Sequence, residues 1–172
     1  MKRITLGVLA VGLCAAAGEA GPGRFTPWNP DLQGAARAVR TVWGARGAFV
    51  PGPVWTVRAP RGEVELKGAI LAGGLVLADV RLSPVDGEVL PRGYRVRSDR
   101  LQVSEERAQH GLAEAVRGLV VLGGAEYREP EAAWAVPLAY GNRIVAHVKV
   151  SADGGTLLQD HRVADEVRRF GR

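Results

Sequence analysis

Side chains that could carry out catalysis are few and scattered along this chain. The histidines are His110, His147 and His161, and the one cysteine is Cys14, near the start. Asp160 and His161 are adjacent in sequence, but two neighbouring ligands without a third at a defined spacing are a weak signal for a metal site. The sequence therefore predicts no metal site and no cofactor.

Nucleophilic and acid–base chemistry also lack a recognisable setting. The serines at positions 83, 98, 104 and 151 do not lie in the strand–turn–helix context of a nucleophile elbow. The pair Glu63 and Glu65 is typical of a strand's solvent face, and the pair Glu105 and Glu106 of a helix start. No catalytic residue is predicted, so the protein is predicted not to be an enzyme.

The elements that would position any functional residue follow from an internal repeat. Residues 73–90 align without gaps on residues 141–158 at an offset of 68, with six identities in 18 pairs, although two unrelated amphipathic hairpins can also look alike. A helix signal precedes each copy, with apolar residues at i, i+4, i+7 and i+11. These residues are Leu32, Ala36, Val39 and Trp43 in the first copy, and Ala108, Leu112, Ala115 and Leu119 in the second.

Alternating hydrophobicity predicts an antiparallel meander after each helix. The predicted strands are 53–58, 63–71, 74–83 and a short one from Glu88, then 119–128, 132–140, 142–151 and a short one from Thr156. The predicted core face carries Val76, Ala78, Val80 and Leu82, and Ile144, Ala146, Val148 and Val150. The predicted fold class is α+β, two repeated units of one helix followed by an antiparallel β-meander.

The opposite face of the last long strand carries the candidate binding residues. Alternation places Arg143, His147 and Lys149 there, with Trp134 and Tyr140 as possible aromatic anchors beside them. We interpret these five residues as a partner-binding surface. For Trp134 a core position is the alternative, because such side chains dominate burial energetics.

The first 20 residues have the layout of a secretory signal peptide. Lys2 and Arg3 precede an apolar stretch of about 14 residues, and small residues end at Ala20. Cleavage after Ala20 is predicted, and the mature protein would be extracytoplasmic, either periplasmic or secreted. Retention as a membrane anchor is the alternative, although a spanning helix needs roughly 20 apolar residues. Cleavage would remove Cys14 and lower the formal charge from +5 to +4, because Lys2, Arg3 and Glu19 are lost.

The remaining segments are assigned by composition and spacing. Residues 21–30 are rich in glycine and proline and are predicted to form an extended arm. Residues 91–103 would link a first unit at 31–90 to a second at 104–160, and residues 161–172 are predicted to form a C-terminal helix. Arginines are spread over the whole chain without a basic stripe, so nucleic-acid binding is not predicted.

The second unit resembles a PepSY domain between Ser104 and about Asp160. The similarity lies in the helix opening Ser104-Glu105-Glu106, the strand Trp134-Ala135-Val136 and the closing segment from Val148 to Leu158. In the first unit Gly87-Glu88-Val89-Leu90 matches the same ending. The resemblance implies an extracytoplasmic module of helix and antiparallel sheet that has no catalytic residues and holds peptidases in check.

Together these observations predict a secreted, non-catalytic protein-binding module that modulates or inhibits an extracytoplasmic peptidase. The protein would contact the membrane only transiently, through the signal peptide. The alternative function is an extracytoplasmic carrier of a small apolar ligand, which would need a cavity between sheet and helices.

Overall fold

A computed structural model describes residues 32–171, which form an α+β fold. The predicted signal peptide, the predicted arm and Asp31 lie outside these residues. The helices are α1 (Leu32–Ala45), α2 (Glu105–Arg117) and α3 (His161–Phe170). The strands are β1 (Val50–Arg58), β2 (Val64–Ala72), β3 (Leu75–Leu82), β4 (Val120–Val121), β5 (Glu126–Arg128), β6 (Ala133–Tyr140), β7 (Arg143–Ser151) and β8 (Leu157–Leu158).

The strands form two antiparallel sheets. Sheet A has the order β1-β2-β3, and sheet B has the order β4-β6-β7-β8, with β5 also paired to β6. The sheets meet where β3 lies beside β7, a junction that we call the seam. Two backbone hydrogen bonds tie the segment that follows each sheet to the other sheet, from Arg92 N–H to the Ile144 carbonyl (2.7 Å) and from Asp160 N–H to the Val76 carbonyl (2.8 Å).

The first two helices cross over, each covering the sheet that its own following strands do not form. Helix α1 packs on sheet B, where Thr41 Oγ1 donates to the Gly154 carbonyl at 2.7 Å. Helix α2 packs on sheet A, and a Cβ placed on Gly68 would lie 2.6 Å from the Leu112 side chain. One core of buried apolar residues fills the space between these helices and the sheets.

Helix α2 follows the sequence pattern and α1 does not. In α2 the predicted residues Ala108, Leu112 and Ala115 are buried, and Ser104 caps the helix by accepting from Arg107 N–H at 3.2 Å. In α1 the predicted apolar stripe is wrong. Its buried residues are the small side chains Gly34 and Ala38, together with Val42.

The glycine turn after β7 explains the orientation of α1. A Cβ on Gly154 would lie 2.7 Å from the Gly34 carbonyl oxygen and 2.9 Å from Ala38 N. Such a close approach of backbone to helix requires small residues on the facing side. The helix therefore turns Gly34, Ala38 and Val42 inward and leaves Leu32 and Trp43 outward.

A β-bulge interrupts the alternation in β3 and in β7. Leu77 is the extra residue in β3, and Val145 is the extra residue in β7. Because side chains alternate with a period of two, one extra residue moves the strand's first residues to the other face. The other six predicted core residues are buried, but Val76 is only half-buried and Ile144 is exposed, so their core assignment is wrong.

Helix α3 covers the face of sheet A that points away from α2. Val163 packs with Trp55 and Ala69 there. Glu166 Oε2 accepts from Trp55 Nε1 at 3.2 Å and from Lys67 Nζ at 2.8 Å, so the polar groups beneath the helix are paired. Within residues 32–171, no helix makes comparable contact with the equivalent face of sheet B.

Two of the predicted strands are shorter than their hydrophobic patterns indicate. The segment 119–128 forms two short strands, because Gly123 and Gly124 fall in the gap between them. Glycine in a strand interior weakens it. The strand predicted from Glu88 is reduced to a single bridge between Leu82 and Val89.

Candidate functional site

The five residues predicted to bind a partner do not form one surface. Trp134 is only 4% exposed, and its ring lies against Tyr127 with the centroids 5.2 Å apart. Its Nε1 donates to the Ala152 carbonyl at 3.0 Å. Trp134 is therefore a core residue whose polar atom is satisfied internally, and a partner cannot reach its side chain.

Tyr140 and Arg143 lie on the helix side of sheet B. They are cross-strand partners, and such pairs share a face. The Tyr140 ring contacts the site of Gly118 at the end of α2, which identifies that face. The bulge at Val145 separates Arg143 from the alternation of the later β7 residues, so it does not share their face as predicted.

His147 and Lys149 lie together on the opposite face, but neither offers a free charge. Lys149 Nζ is 2.6 Å from Glu131 Oε2 and 3.2 Å from Asp160 Oδ2, so its charge is neutralised within the molecule. His147 is half-buried, and its Nδ1 has no hydrogen-bond partner among residues 32–171. Burial, followed by repulsion from Arg92 and Arg128, lowers the pKa of His147 to about 4, so it is neutral at pH 7.

A different surface combines exposed apolar and basic side chains, on the outer side of α1 and at its C-terminal end. Trp43 is 65% exposed and Leu32 is 90% exposed. Beside Trp43 a cleft of about 450 Å³ opens between the C-terminal ends of α1 and α2. We call this region the Trp43 surface. The cleft is lined by Trp43, Arg46, Gly47, Phe49, Val116 and Arg117.

The Trp43 surface has a one-sided charge. No Asp or Glu occurs between residues 32 and 62, whereas Arg37, Arg40 and Arg46 follow one another along and just after α1. Arg46 makes no ion pair with any residue that the structure describes. Arg117, on the other wall of the cleft, donates Nε to the Ala113 carbonyl at 3.3 Å and makes no ion pair within the described part of the chain. The cleft is thus both aromatic and positively charged.

The sequence pattern placed Trp43 on the apolar stripe of the first helix and so missed this surface. Two sequence signals could have found it. The first is the set of small residues Gly34 and Ala38, which offer a second and narrower buried side on the same helix. The second is that no Asp or Glu occurs within α1 or the residues up to 62, so no carboxylate of this segment pairs with its arginines.

The adjacent pair Asp160 and His161 has a structural role. Asp160 Oδ1 accepts from Val163 N–H at 3.1 Å and caps α3, whose first residue is the exposed His161. Although burial raises the pKa of Asp160, the Val163 N–H and the Lys149 ammonium hold it below its ordinary value. In the described part of the chain no three His, Cys, Asp or Glu side chains are grouped as a metal site would require.

Comparison of the chain with protein-family models, with curated proteins and with solved structures finds no match. None of the helices among residues 32–171 is long and apolar enough to cross a membrane.

Proposed function

We propose that the chain is an extracytoplasmic, non-catalytic protein-binding module that docks its partner on the Trp43 surface. The observation that carries the proposal is the exposure of Trp43 beside a cleft whose walls hold two arginines and no carboxylate. Tryptophan and arginine are the residues most enriched among interface hot spots. Trp43 would be the central anchor, and Arg46 and Arg117 would flank it.

The charge of the Trp43 surface defines the partner's chemistry. An acidic segment that carries one apolar side chain for the cleft would complement both the arginines and Phe49. Opposite charges speed association, and salt screens them. The PepSY resemblance suggests an extracytoplasmic peptidase as the partner, which the module would modulate or inhibit.

We also infer that the chain is built from two repeated units that exchange their helices. The strands β3 and β7 support the repeat, since their bulged residues Leu77 and Val145 stand 68 positions apart. The hairpin glycines Gly73 and Gly141 have the same offset and the same left-handed backbone, with φ of 56° and 54°. The turns after β3 and β7 are closed by equivalent bonds, Ser83 N–H to the Glu88 carbonyl and Ser151 N–H to the Thr156 carbonyl.

Docking through side chains is better supported than addition of a strand to a sheet edge. The edge strand β1 contains Pro51 and Pro53, which have no N–H to donate to an added strand. The opposite edge is divided between β4 and β5, which are two and three residues long. Proline and short edge strands both disfavour strand addition.

The alternative function, a carrier of a small apolar ligand, has weaker support. An apolar groove of about 240 Å³ lies between sheet A and the helices, with Val54, Leu66, Leu101 and Phe170 among its lining residues. Ligand sites usually enclose roughly 300–1,000 Å³ and bury most of the ligand. This groove is smaller, and Leu101 and Phe170 at its rim are about half exposed.

The docking proposal is tested by site-specific crosslinking. The photoreactive residue p-benzoylphenylalanine is placed at position 43 of the mature protein, and at position 94 as a control, since Tyr94 is also an exposed aromatic at 58%. Both proteins are irradiated in the native extracytoplasmic fraction. We expect a discrete crosslinked protein from position 43 that position 94 does not give.

The captured protein then allows a quantitative comparison of Trp43→Ala with Tyr94→Ala. Loss of a central tryptophan typically costs about 2 kcal/mol or more, so Trp43→Ala should weaken binding roughly thirtyfold while Tyr94→Ala changes it little. Equal crosslinking from both positions, or an affinity that ignores Trp43→Ala, would overturn the docking proposal. Substrate turnover by the protein alone would overturn the non-catalytic assignment.

A further inference from the structure

The seam contains a second concave region, separate from the Trp43 surface. A cleft of about 260 Å³ opens where β3 and β7 lie side by side. Val145, the bulged residue of β7, is 4% exposed and supplies an apolar part of its wall. The residues around the cleft are Asp79, Arg81, Arg92, Gly93, Val145 and Arg162.

Three arginines face a single carboxylate in this seam cleft. Arg162 is already occupied, with ion pairs to Asp79 (3.0 Å) and Glu166 (2.7 Å). Arg81 has only a long contact of 3.8 Å to Glu65. Arg92 makes no ion pair with the described residues, so the cleft has an excess of positive charge.

The backbone holds Arg92 in position at the mouth of the cleft. Its N–H donates to the Ile144 carbonyl at 2.7 Å, which ties residue 92 to β7. Gly93 follows with a φ of 83°, a left-handed conformation that glycine adopts readily, and it lines the cleft beside Arg92. Partial burial, followed by repulsion from Arg128, lowers the pKa of Arg92, although the Asp79 carboxylate acts in the opposite direction.

We propose that the seam cleft binds a carboxylate group, with Arg92 as its principal partner and Arg81 as the second. A guanidinium presents paired N–H groups that match the two oxygens of a carboxylate. Val145 and Gly93 leave an uncharged wall against which the carbon chain behind the carboxylate would lie. The free C terminus of a peptide and a small organic acid both supply this chemistry, and the experiment distinguishes them.

The test uses defined probes and does not depend on the partner of the Trp43 surface. Acetyl-Ala-Ala-Ala with a free C terminus, the same peptide with a C-terminal amide, succinate and inorganic phosphate are titrated into the ¹⁵N-labelled mature protein at constant ionic strength. We expect the free-acid peptide and succinate to shift the signals of Gly93, Val145 and the Arg92 side chain. The amide peptide should shift them much less.

Matched variants assign the effect to Arg92. Arg92→Gln should weaken carboxylate binding about tenfold, whereas Arg143→Gln, an exposed arginine on the other face of sheet B, should leave it unchanged. Trp43→Ala should also leave it unchanged, so failure at one site is distinguishable from failure at the other. Thermal unfolding of each variant checks that the fold is retained.

The outcomes separate the sources of the ligand. Tighter binding of the free-acid peptide than of succinate would identify a peptide C terminus, and the reverse order would identify a small acid. Equal shifts from the acid and amide peptides would overturn the proposal. So would tighter binding of phosphate than of either acid, or undiminished binding by Arg92→Gln.

Discussion

Helices α1 and α2 share one apolar spacing but bury different sides. In α2 the spaced residues form the core, and Leu112 lies directly over Gly68. In α1 the first and last spaced residues, Leu32 and Trp43, are among the most exposed apolar side chains that the structure describes. The side that α1 buries instead is defined by Gly34 and Ala38.

The difference shows that an apolar stripe indicates a contact without indicating which partner makes it. In α2 the partner is sheet A of the same chain. In α1 the glycine turn at Gly154 packs against the inward side through close backbone contacts, and Leu32 and Trp43 remain exposed. A stripe that core packing does not use is available for binding, which is why we place the docking surface on α1.

The largest expected effect is a difference in stability between a variant of the α2 stripe and a variant of the α1 stripe. Leu112→Ala should lower the free energy of unfolding by about 2–5 kcal/mol, because it leaves a cavity over Gly68. Trp43→Ala should change it by no more than about 0.5 kcal/mol, because the side chain is mostly in solvent. Urea denaturation of both variants measures these changes in the free energy of unfolding. Similar losses in the two variants would show that Trp43 is a core residue after all.

A smaller effect is expected from the turn that orients α1. Gly154 has a φ of 78°, and a Cβ there would meet the backbone of α1, so Gly154→Ala should cost about 1–3 kcal/mol. The neighbouring Gly155→Ala is the control, since its Cβ would contact nothing nearer than 3.5 Å. Amide hydrogen exchange should then show loss of protection in α1 and not in α2. Unchanged protection of α1 in Gly154→Ala would contradict the role of this turn.

A third effect is a pH dependence on the face of β7 that α1 does not cover. His147 has its pKa lowered from 6.5 to about 4 in the folded state, so the unfolded chain takes up the proton first as the pH falls. The free energy of unfolding should decline as the pH falls from about 6.5 to about 4. Below pH 4 the protonation of His147 should cause no further change. His147→Gln should remove this part of the slope.

The control for the pH experiment is His110→Gln, because His110 is exposed on α2 beside Glu114. That variant leaves the surroundings of His147 unchanged, so the part of the slope that His147→Gln removes should persist in it. An NMR titration measures the pKa of His147 in the folded protein directly. A midpoint near 6.5 would contradict the burial argument and return His147 to the set of charged surface residues.

The candidate site was less predictable from sequence than the elements that carry it. His147 and Lys149 lie on one face as alternation predicts, but Lys149 is paired internally with Glu131 and Asp160. Glu131 and Asp160 both lie outside β7 and far from Lys149 in sequence, so no local sequence pattern indicates these ion pairs. The seam cleft was not predicted either, because Arg92 and Arg162 come from segments that meet only in the folded chain.

The sequence by itself determined the α+β class, the antiparallel strands and the inward side of α2, because local periodicity and capping specify these features. Only the tertiary structure decided which sheet each helix covers, and it placed Trp43 outward and joined the two sheets at the seam. The physical reason is that a hydrophobic period of 3.6 or 2 residues shows which residues share a face of a helix or strand. It does not show which element packs against that face. Close backbone approaches such as Gly154 against α1, and single-residue bulges such as Val145, then choose among the faces.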